Sequence, residues 1–252
     1  DRFFKEHKEY KIVHSHLDCL SAYPLKAAKK NGVPVRIAHS HNTSQEKNLK
    51  YLIKDYSKKQ IPKYATHLFA CGKEAGKWMF GKHKFQIMNN AIDAKKFIYN
   101  EEVRKQKRVE LGVEDKFVIG HVGRFNLQKN HEFLVKRFAD FAKTNEDAIL
   151  VLIGNGELQE KIKEMAKEYG IETKVKFLGL REDIPQLLQA MDLFLFPSLF
   201  EGLPVTLVEA QAAGLPCVIS DMITDEIMIT DQISKVSLSG NTSLWNQEIA
   251  KY

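Results

Sequence analysis

Short apolar runs alternate with amphipathic segments along most of this chain, and that alternation constrains its fold more than any other feature. From residue 117 the rhythm is regular. Residues 117–122 (FVIGHV) read as a buried strand, 131–143 as a helix with Leu134, Phe138 and Phe141 turned inward, and 148–153 (AILVLI) as a second strand. The next helix carries Leu158, Ile162, Met165 and Tyr169 at helical spacing and is stopped by Gly170. Further strands are expected at 175–178, 193–196 and 217–219, with helices starting near Ile184 and Pro204. Near-continuous apolar strands separated by helices are covered on both faces, the pattern of parallel sheet in an α/β protein. Steps of this kind make a doubly wound sheet, whose ligands sit at the carboxyl ends of the strands.

The first hundred residues repeat the pattern less completely. Strands are expected at 11–14, 35–38, 67–70 and 85–88, and a helix from Thr43, with Thr43 and Glu46 as a capping box. The polar run 100–107 reads as a linker, dividing the chain into domains 1–100 and 101–252. Two compact α/β domains fit a length of 252 residues, and 44% hydrophobic with 28% charged residues is ordinary for a soluble globular protein. No stretch approaches the roughly 18 consecutive apolar residues of a membrane-spanning helix, and residues 1–8 carry no apolar segment of the signal-peptide type. Cys19, Cys71 and Cys217 are far apart and odd in number, which implies neither a disulfide framework nor a metal knuckle but free thiols in a reducing cytoplasm. The net charge of +6 favours anionic partners, yet the cations are spread along the chain without clustered aromatics, which argues against a nucleic-acid groove.

Two segments carry chemistry. Residues 123–130 (GRFNLQKN) join a strand to a helix, so Arg124 and Lys129 can converge on one anion, the first as a planar fork and the second as a mobile point charge. In residues 201–209 (EGLPVTLVE), Pro204 suits the first turn of a helix and Gly202 a sharp approach to it, so Leu203 and Thr206 can aim backbone N–H groups at an anion. Glu201 precedes that helix and Glu209 lies inside it. Carboxylates repel a diphosphate but accept hydrogen bonds from the sugar hydroxyls that flank one. Leu207, Val208, Ala210 and Ala212 around Glu209 suggest burial, and a buried carboxylate needs a partner.

Together these two segments resemble glycosyltransferase family 4, retaining enzymes of the GT-B fold. Asn90-Ala91-Ile92-Asp93, Gly154-Asn155-Gly156 and Phe177-Leu178-Gly179 support the likeness in the expected order. The resemblance implies an α/β chain with two Rossmann-like domains facing a cleft, the N-terminal one truncated. It implies that Arg124 and Lys129 bind the donor diphosphate and neutralise the leaving group, with Gly123, Gly154 and Asn155 beside them. Glu209 would take the ribose hydroxyls and Glu201 the transferred sugar. Gly202, Leu203 and Val205 would lie against sugar and diphosphate, and Arg181 would frame the nucleobase. The sequence holds no Asp-x-Asp motif, in keeping with a family that replaces the metal by protein cations. The expectation is therefore no cofactor and no metal, the nucleotide diphosphate sugar being a co-substrate.

Two expected strands end in paired histidines, His14 with His16 and His39 with His41. Four imidazoles on two strand ends can hold a metal, but His-Ser-His spacing is no known structural zinc pattern and no carboxylate follows closely. The resemblance instead makes His16 the catalytic-side residue near the transferred sugar and puts His39 and His41 in the acceptor pocket. On the helix from Thr43, Leu49, Leu52, Ile53 and Tyr56 share one face and Lys47, Lys50, Lys54 and Lys58 the other, a basic stripe suited to a lipid-diphosphate acceptor or anionic lipid head groups.

The expected function is retaining transfer of a hexose from a UDP-sugar to a glycan or lipid-linked acceptor in cell-surface polysaccharide synthesis, in the cytoplasm or peripherally at the inner membrane face. The alternatives are a non-catalytic nucleotide-sugar-binding module and a sugar-nucleotide epimerase of the same fold. The chain opens without the first strand and glycine-rich loop of such a fold and closes in an expected helix, so a fragment is expected, in which donor binding outlasts turnover.

Overall fold

The computed structural model describes residues 1–45, 49, 51–241 and 243–252. It divides into two compact units, one of Asp1–Asn90 with Phe200–Leu203, the other of Ala91–Leu199 with Pro204–Tyr252. Each is a parallel sheet flanked by helices.

In the first unit, β1 (Ile12–Ser15), β2 (Val35–Ser40), β3 (His67–Ala70) and β4 (Gln86–Ile87) pair in chain order, all parallel. The helices among them are α1 (Arg2–Glu6), α2 (Ala22–Lys30), α3 (Tyr51–Tyr64) and α4 (Lys73–Phe80). The register sets Ser15 beside Ala38 and His39 beside Phe69. Residues two apart on a strand share a face, so the histidine pairs fall on one surface at the carboxyl ends of β1 and β2.

The second unit contains α5 (Glu101–Leu111), β5 (Phe117–Val122), α6 (His131–Ala142), β6 (Ala148–Ile153), α7 (Gln159–Glu168) and β7 (Val175–Gly179). It continues through α8 (Ile184–Ala190), β8 (Leu193–Phe196), α9 (Val205–Ala212), β9 (Cys217–Ser220), β10 (Ile233–Val236) and α10 (Ser243–Ile249). The strand order β10-β9-β8-β5-β6-β7 is the doubly wound Rossmann order, with its reversal between β5 and β8. All six residues of β6 and all four of β8 are buried, as parallel strands covered on both faces require. Leu134, Phe138 and Phe141 of α6 and Ile162 of α7 pack into this core, and Trp245 of α10 closes it, its indole N–H donating to the Ser237 carbonyl at 2.8 Å.

Several expectations need correction. The run 100–107 is not a linker but the start of α5, capped by the Asn100 side chain, which accepts from Val103 N at 3.1 Å, and ended by left-handed Gly112. Its polarity is that of a solvated helix face with Glu101–Lys105 pairing one turn apart. The break between units falls at Asn90, ahead of the expected boundary at 100, and residues 200–203 group with the first unit although they lie far inside the expected second domain. Thr43 caps no helix: its hydroxyl donates to the Glu201 carbonyl at 2.6 Å, while α3 begins at Tyr51. Glu46, Lys47 and Lys50 lie outside the described residues. On α3 the buried residues are Ser57 and Ile61, and Leu52, Ile53 and Tyr56 are exposed. Lys58 is not on a free basic stripe, since it sits 4.7 Å over the Trp78 ring and beside Asp55. Tyr169 is exposed just after α7, and β10 is a strand that periodicity did not pick out.

Asp192, just before β8, fastens α5 to the sheet. It pairs with Arg104 and with Arg108 (3.1 Å), and it accepts the backbone N–H of Val118 at 2.7 Å at the start of β5. Removing this carboxylate leaves two cations and an amide short of a partner. Asp192→Ala is expected to lose about 2–4 kcal/mol, read as a lower urea midpoint of Trp245 fluorescence in a Trp78→Phe background. Lys105→Ala, on the solvated face, should move the midpoint little.

Candidate active site

Three loops meet at the carboxyl ends of β5, β6 and β7. Gly123 N–H donates to Ile153 O (2.9 Å), Gly154 N–H to Gly179 O (2.8 Å), and Phe125 N–H to Asn155 O (2.8 Å), so the loops are tied backbone to backbone. Gly154 has φ +131, and a Cβ there would stand 2.2 Å from the Gly123 carbonyl oxygen. Only glycine allows that approach. The loops enclose a cavity of about 300 Å³ whose walls include Gly123, Arg124, Gly154, Asn155 and Arg181. Five residues singled out in sequence thus share one cavity. Leu180 and Ile184 complete its apolar wall and had no signal of their own in the sequence.

The cations here are already engaged. Arg124 is exposed and pairs with Glu157 at 3.1 Å, an open pair that contributes little to stability and is readily exchanged for a stronger anion. Arg181 forks onto Asp183 with two contacts of 2.7 Å and reaches Glu110 at 3.1 Å. Hydrogen bonds from Arg181 and Lys107 hold the Asp183 carboxyl far below the usual carboxylate range. Arg181 lines the cavity with Nε and Nη2 turned to these carboxylates.

Lys129, Val205 and Glu209 also belong to this unit but lie outside the lining of that cavity. The Lys129 ammonium stands 4.6 Å over the Phe196 ring, and its backbone N–H donates to Asn126 Oδ1 at 3.1 Å. Beneath the loop lie His121 and His131, both fully buried, with ring centroids 4.7 Å apart. Burial holds both rings neutral, His131 near 4, with the Lys129 charge acting in the same direction. Neither histidine was singled out in the sequence, although His121 inside an otherwise apolar strand was the available signal. Val205 opens α9 and is exposed, and Glu209 is half-buried one turn on. Among the described residues nothing pairs with the Glu209 carboxylate, and burial raises its pKa.

Glu201, Gly202 and Leu203 cluster with the first unit instead. A Cβ on Gly202 would lie 2.1 Å from the His41 carbonyl oxygen, and Asn90 Nδ2 donates to Leu203 O at 2.7 Å. Glu201 is buried. In the same unit His14 and His39 approach at 3.2 Å and His16 and His41 at 2.7 Å, nitrogen to nitrogen. Burial, then the neighbouring His41, His16 and His14, lowers His39 to about 4. Burial likewise lowers His14 and His41.

Residues 101–238 match the family Glycosyl transferases group 1. The chain belongs to that family. It is 39% identical to the putative glycosyltransferase EpsF of Bacillus subtilis, over 98% of this chain and 67% of EpsF. It is 28% identical to the Escherichia coli UDP-Gal:alpha-D-GlcNAc-diphosphoundecaprenol alpha-1,3-galactosyltransferase, over 89% of this chain and 61% of that enzyme. The chain therefore spans about two thirds of the length of these relatives. Among solved structures it superposes on HepE of Anabaena in complex with UDP-glucose with a TM-score of 0.86 at 21% identity, over 99% of this chain and 71% of that one. Sucrose-phosphate synthase of Thermosynechococcus elongatus gives a TM-score of 0.83 at 20% identity, over 99% of this chain and 67% of that one. The fold of this group 1 glycosyltransferase is GT-B, with two Rossmann-like units.

Two outcomes test this geometry. Gly154→Ala should force the Gly123 loop aside and cost about 1–3 kcal/mol, seen as a lower melting temperature. For Glu209 the sign follows from its raised pKa: from pH 4.5, its ordinary value, upward the unfolded chain releases the proton first, so stability falls as pH rises through the folded value. Glu209→Gln is expected to melt above wild type at neutral pH and level with it below the ordinary carboxylate range, by calorimetry across a pH series.

Proposed function

We propose that this chain supplies the donor-binding unit and part of the acceptor side of a retaining glycosyltransferase that uses a UDP-sugar without a metal at the diphosphate. The observation that carries this reading is the cavity at the carboxyl ends of β5, β6 and β7, whose walls include both Arg124 and Arg181. Its dimensions and mixed wall suit a nucleotide. Lys129 and Arg124 are assigned to the diphosphate, where fixed cations stabilise the charge that builds on the leaving oxygen as the glycosidic bond breaks. Glu209, half-buried with its carboxylate unpaired among the described residues, is assigned to the ribose hydroxyls. Glu201 is assigned to the transferred sugar and His16 to its catalytic side, with His39 and His41 toward the acceptor. Retention would follow from attack on the donor's own face with its phosphate as base.

The activities of relatives support the substrate classes. The Escherichia coli relative takes UDP-Gal to a diphosphoundecaprenol-linked sugar, and HepE was solved with UDP-glucose. A lipid-linked or glycan acceptor in cell-surface polysaccharide synthesis is the corresponding reading here. The exposed Leu49, Leu52, Ile53 and Tyr56 offer an apolar surface near such an acceptor's membrane, although no helix among the described residues is long and apolar enough to cross one.

Calorimetry of UDP-sugars against wild type, Arg124→Ala and Lys129→Ala decides the donor reading. Loss of one charge-assisted phosphate contact should weaken UDP-sugar binding roughly 10- to 100-fold. No binding by wild type, or equal binding by both variants, would overturn it.

A further inference from the structure

We propose that the histidine cluster at the carboxyl ends of β1 and β2 is a transition-metal site, with His14, His16 and His39 as ligands for a divalent ion of the zinc class. The sheet builds the cluster. His14 and His16 lie two residues apart on β1 and its continuation, and His39 and His41 do so on β2, so all four rings rise from one face. Continuing the register from Ser15 beside Ala38 brings position 16 beside 39. The rings form a compact block, with centroids 4.1 Å apart for His14–His16, 5.0 Å for His16–His39 and 4.2 Å for His39–His41. One ring nitrogen from each of His14, His16 and His39 lies within 4.8 Å of the other two.

The spacing of His14 and His39 is that of co-ligands. Two nitrogens bound about 2.0–2.1 Å from a tetrahedral ion stand roughly 3.3–3.4 Å apart, and His14 Nε2 to His39 Nδ1 is 3.2 Å. His39 is buried and fixed in the middle of the sheet, while His14 and His16 are exposed, so the site is anchored on one side and open to solvent on the other. His41 contacts His16 Nδ1 at 2.7 Å and is placed either to fix its tautomer from behind or to close the tetrahedron. Asp18 steadies that loop, accepting from His41 N–H at 3.0 Å and from Asn42 Nδ2 at 2.5 Å. An all-imidazole set rejects magnesium and calcium, which take oxygen ligands, and favours Zn²⁺, Co²⁺, Ni²⁺ or Cu²⁺. The spacing along the sequence argued against a metal; the positions of the rings across two strands are what shift that balance. An ion here would clip β1 to β2 at the rim of the unit.

The test is titration of the whole chain with Co²⁺, followed by its visible d–d absorption and by displacement with Zn²⁺. One ion per chain, with a tetrahedral-type spectrum, is expected; Mg²⁺ should neither bind nor compete. His14→Gln and His16→Gln, both at exposed positions, should each weaken binding on the order of tenfold to a hundredfold, whereas exposed His83→Gln should leave it unchanged. His39→Gln should abolish it, with far-UV circular dichroism recording that the sheet persists. Absence of d–d bands at millimolar Co²⁺, or affinity unchanged in both His14→Gln and His16→Gln, overturns the site. UDP-sugar affinity of the wild-type chain is a separate readout: absence of donor binding with Co²⁺ binding intact counts against the donor reading alone.

Discussion

The pairing of β5 with β6 on one side and β8 on the other is the constraint on which the second unit depends. β5 stands where the strand order reverses, with six residues against β6 and two against β8. The cavity lies on the β6 side of that reversal, where the loops after β5, β6 and β7 are tied backbone to backbone. What the side chains add is the sign and shape of the opening: Arg124 and Arg181 on its walls, apolar Leu180 and Ile184 between them.

The electrostatics of that opening are those of a site held ready by internal anions. Arg124 leans on Glu157, and Arg181 on Asp183 and Glu110. These two arrangements differ in kind. The first is exposed and single. The second is a fork shared with Lys107, tying α5 to the start of α8 and fixing the guanidinium plane. One arginine is therefore loosely held and the other fixed in place. Glu209 presents the converse case, a carboxylate whose desolvation is met by no described side chain, as a group waiting for hydroxyl donors would be.

Most of the architecture was legible in the sequence because parallel strands buried on both faces have little freedom in composition. Residues 117–122, 148–153 and 193–196 are apolar almost without a break, and each is a strand with the bounds periodicity suggests. β10 escaped because Ile233–Val236 carries Ser and Lys at an edge of the sheet, where one side needs no cover. The helix expected from Thr43 failed for another reason: the Thr43 hydroxyl is taken by the Glu201 carbonyl, a partner 158 residues away that no local pattern reveals. The polar run at 100 misled because a solvated helix face and a linker have the same composition, and only the Arg104 and Arg108 contacts to Asp192 distinguish them.

For this protein, the sequence by itself determined the elements, the parallel character of both sheets and the family to which the chain belongs. Apolar periodicity and short glycine-bearing loops are local properties, and they are written residue by residue. Tertiary structure alone decided which residues meet. It gathered Gly123, Arg124, Gly154, Asn155 and Arg181 on one cavity, left Lys129 and Glu209 outside its lining, and assigned residues 200–203 to the first unit. It also brought two separated His-Ser-His segments into one block of rings, because strand register sets distances across a sheet that spacing along the chain does not contain.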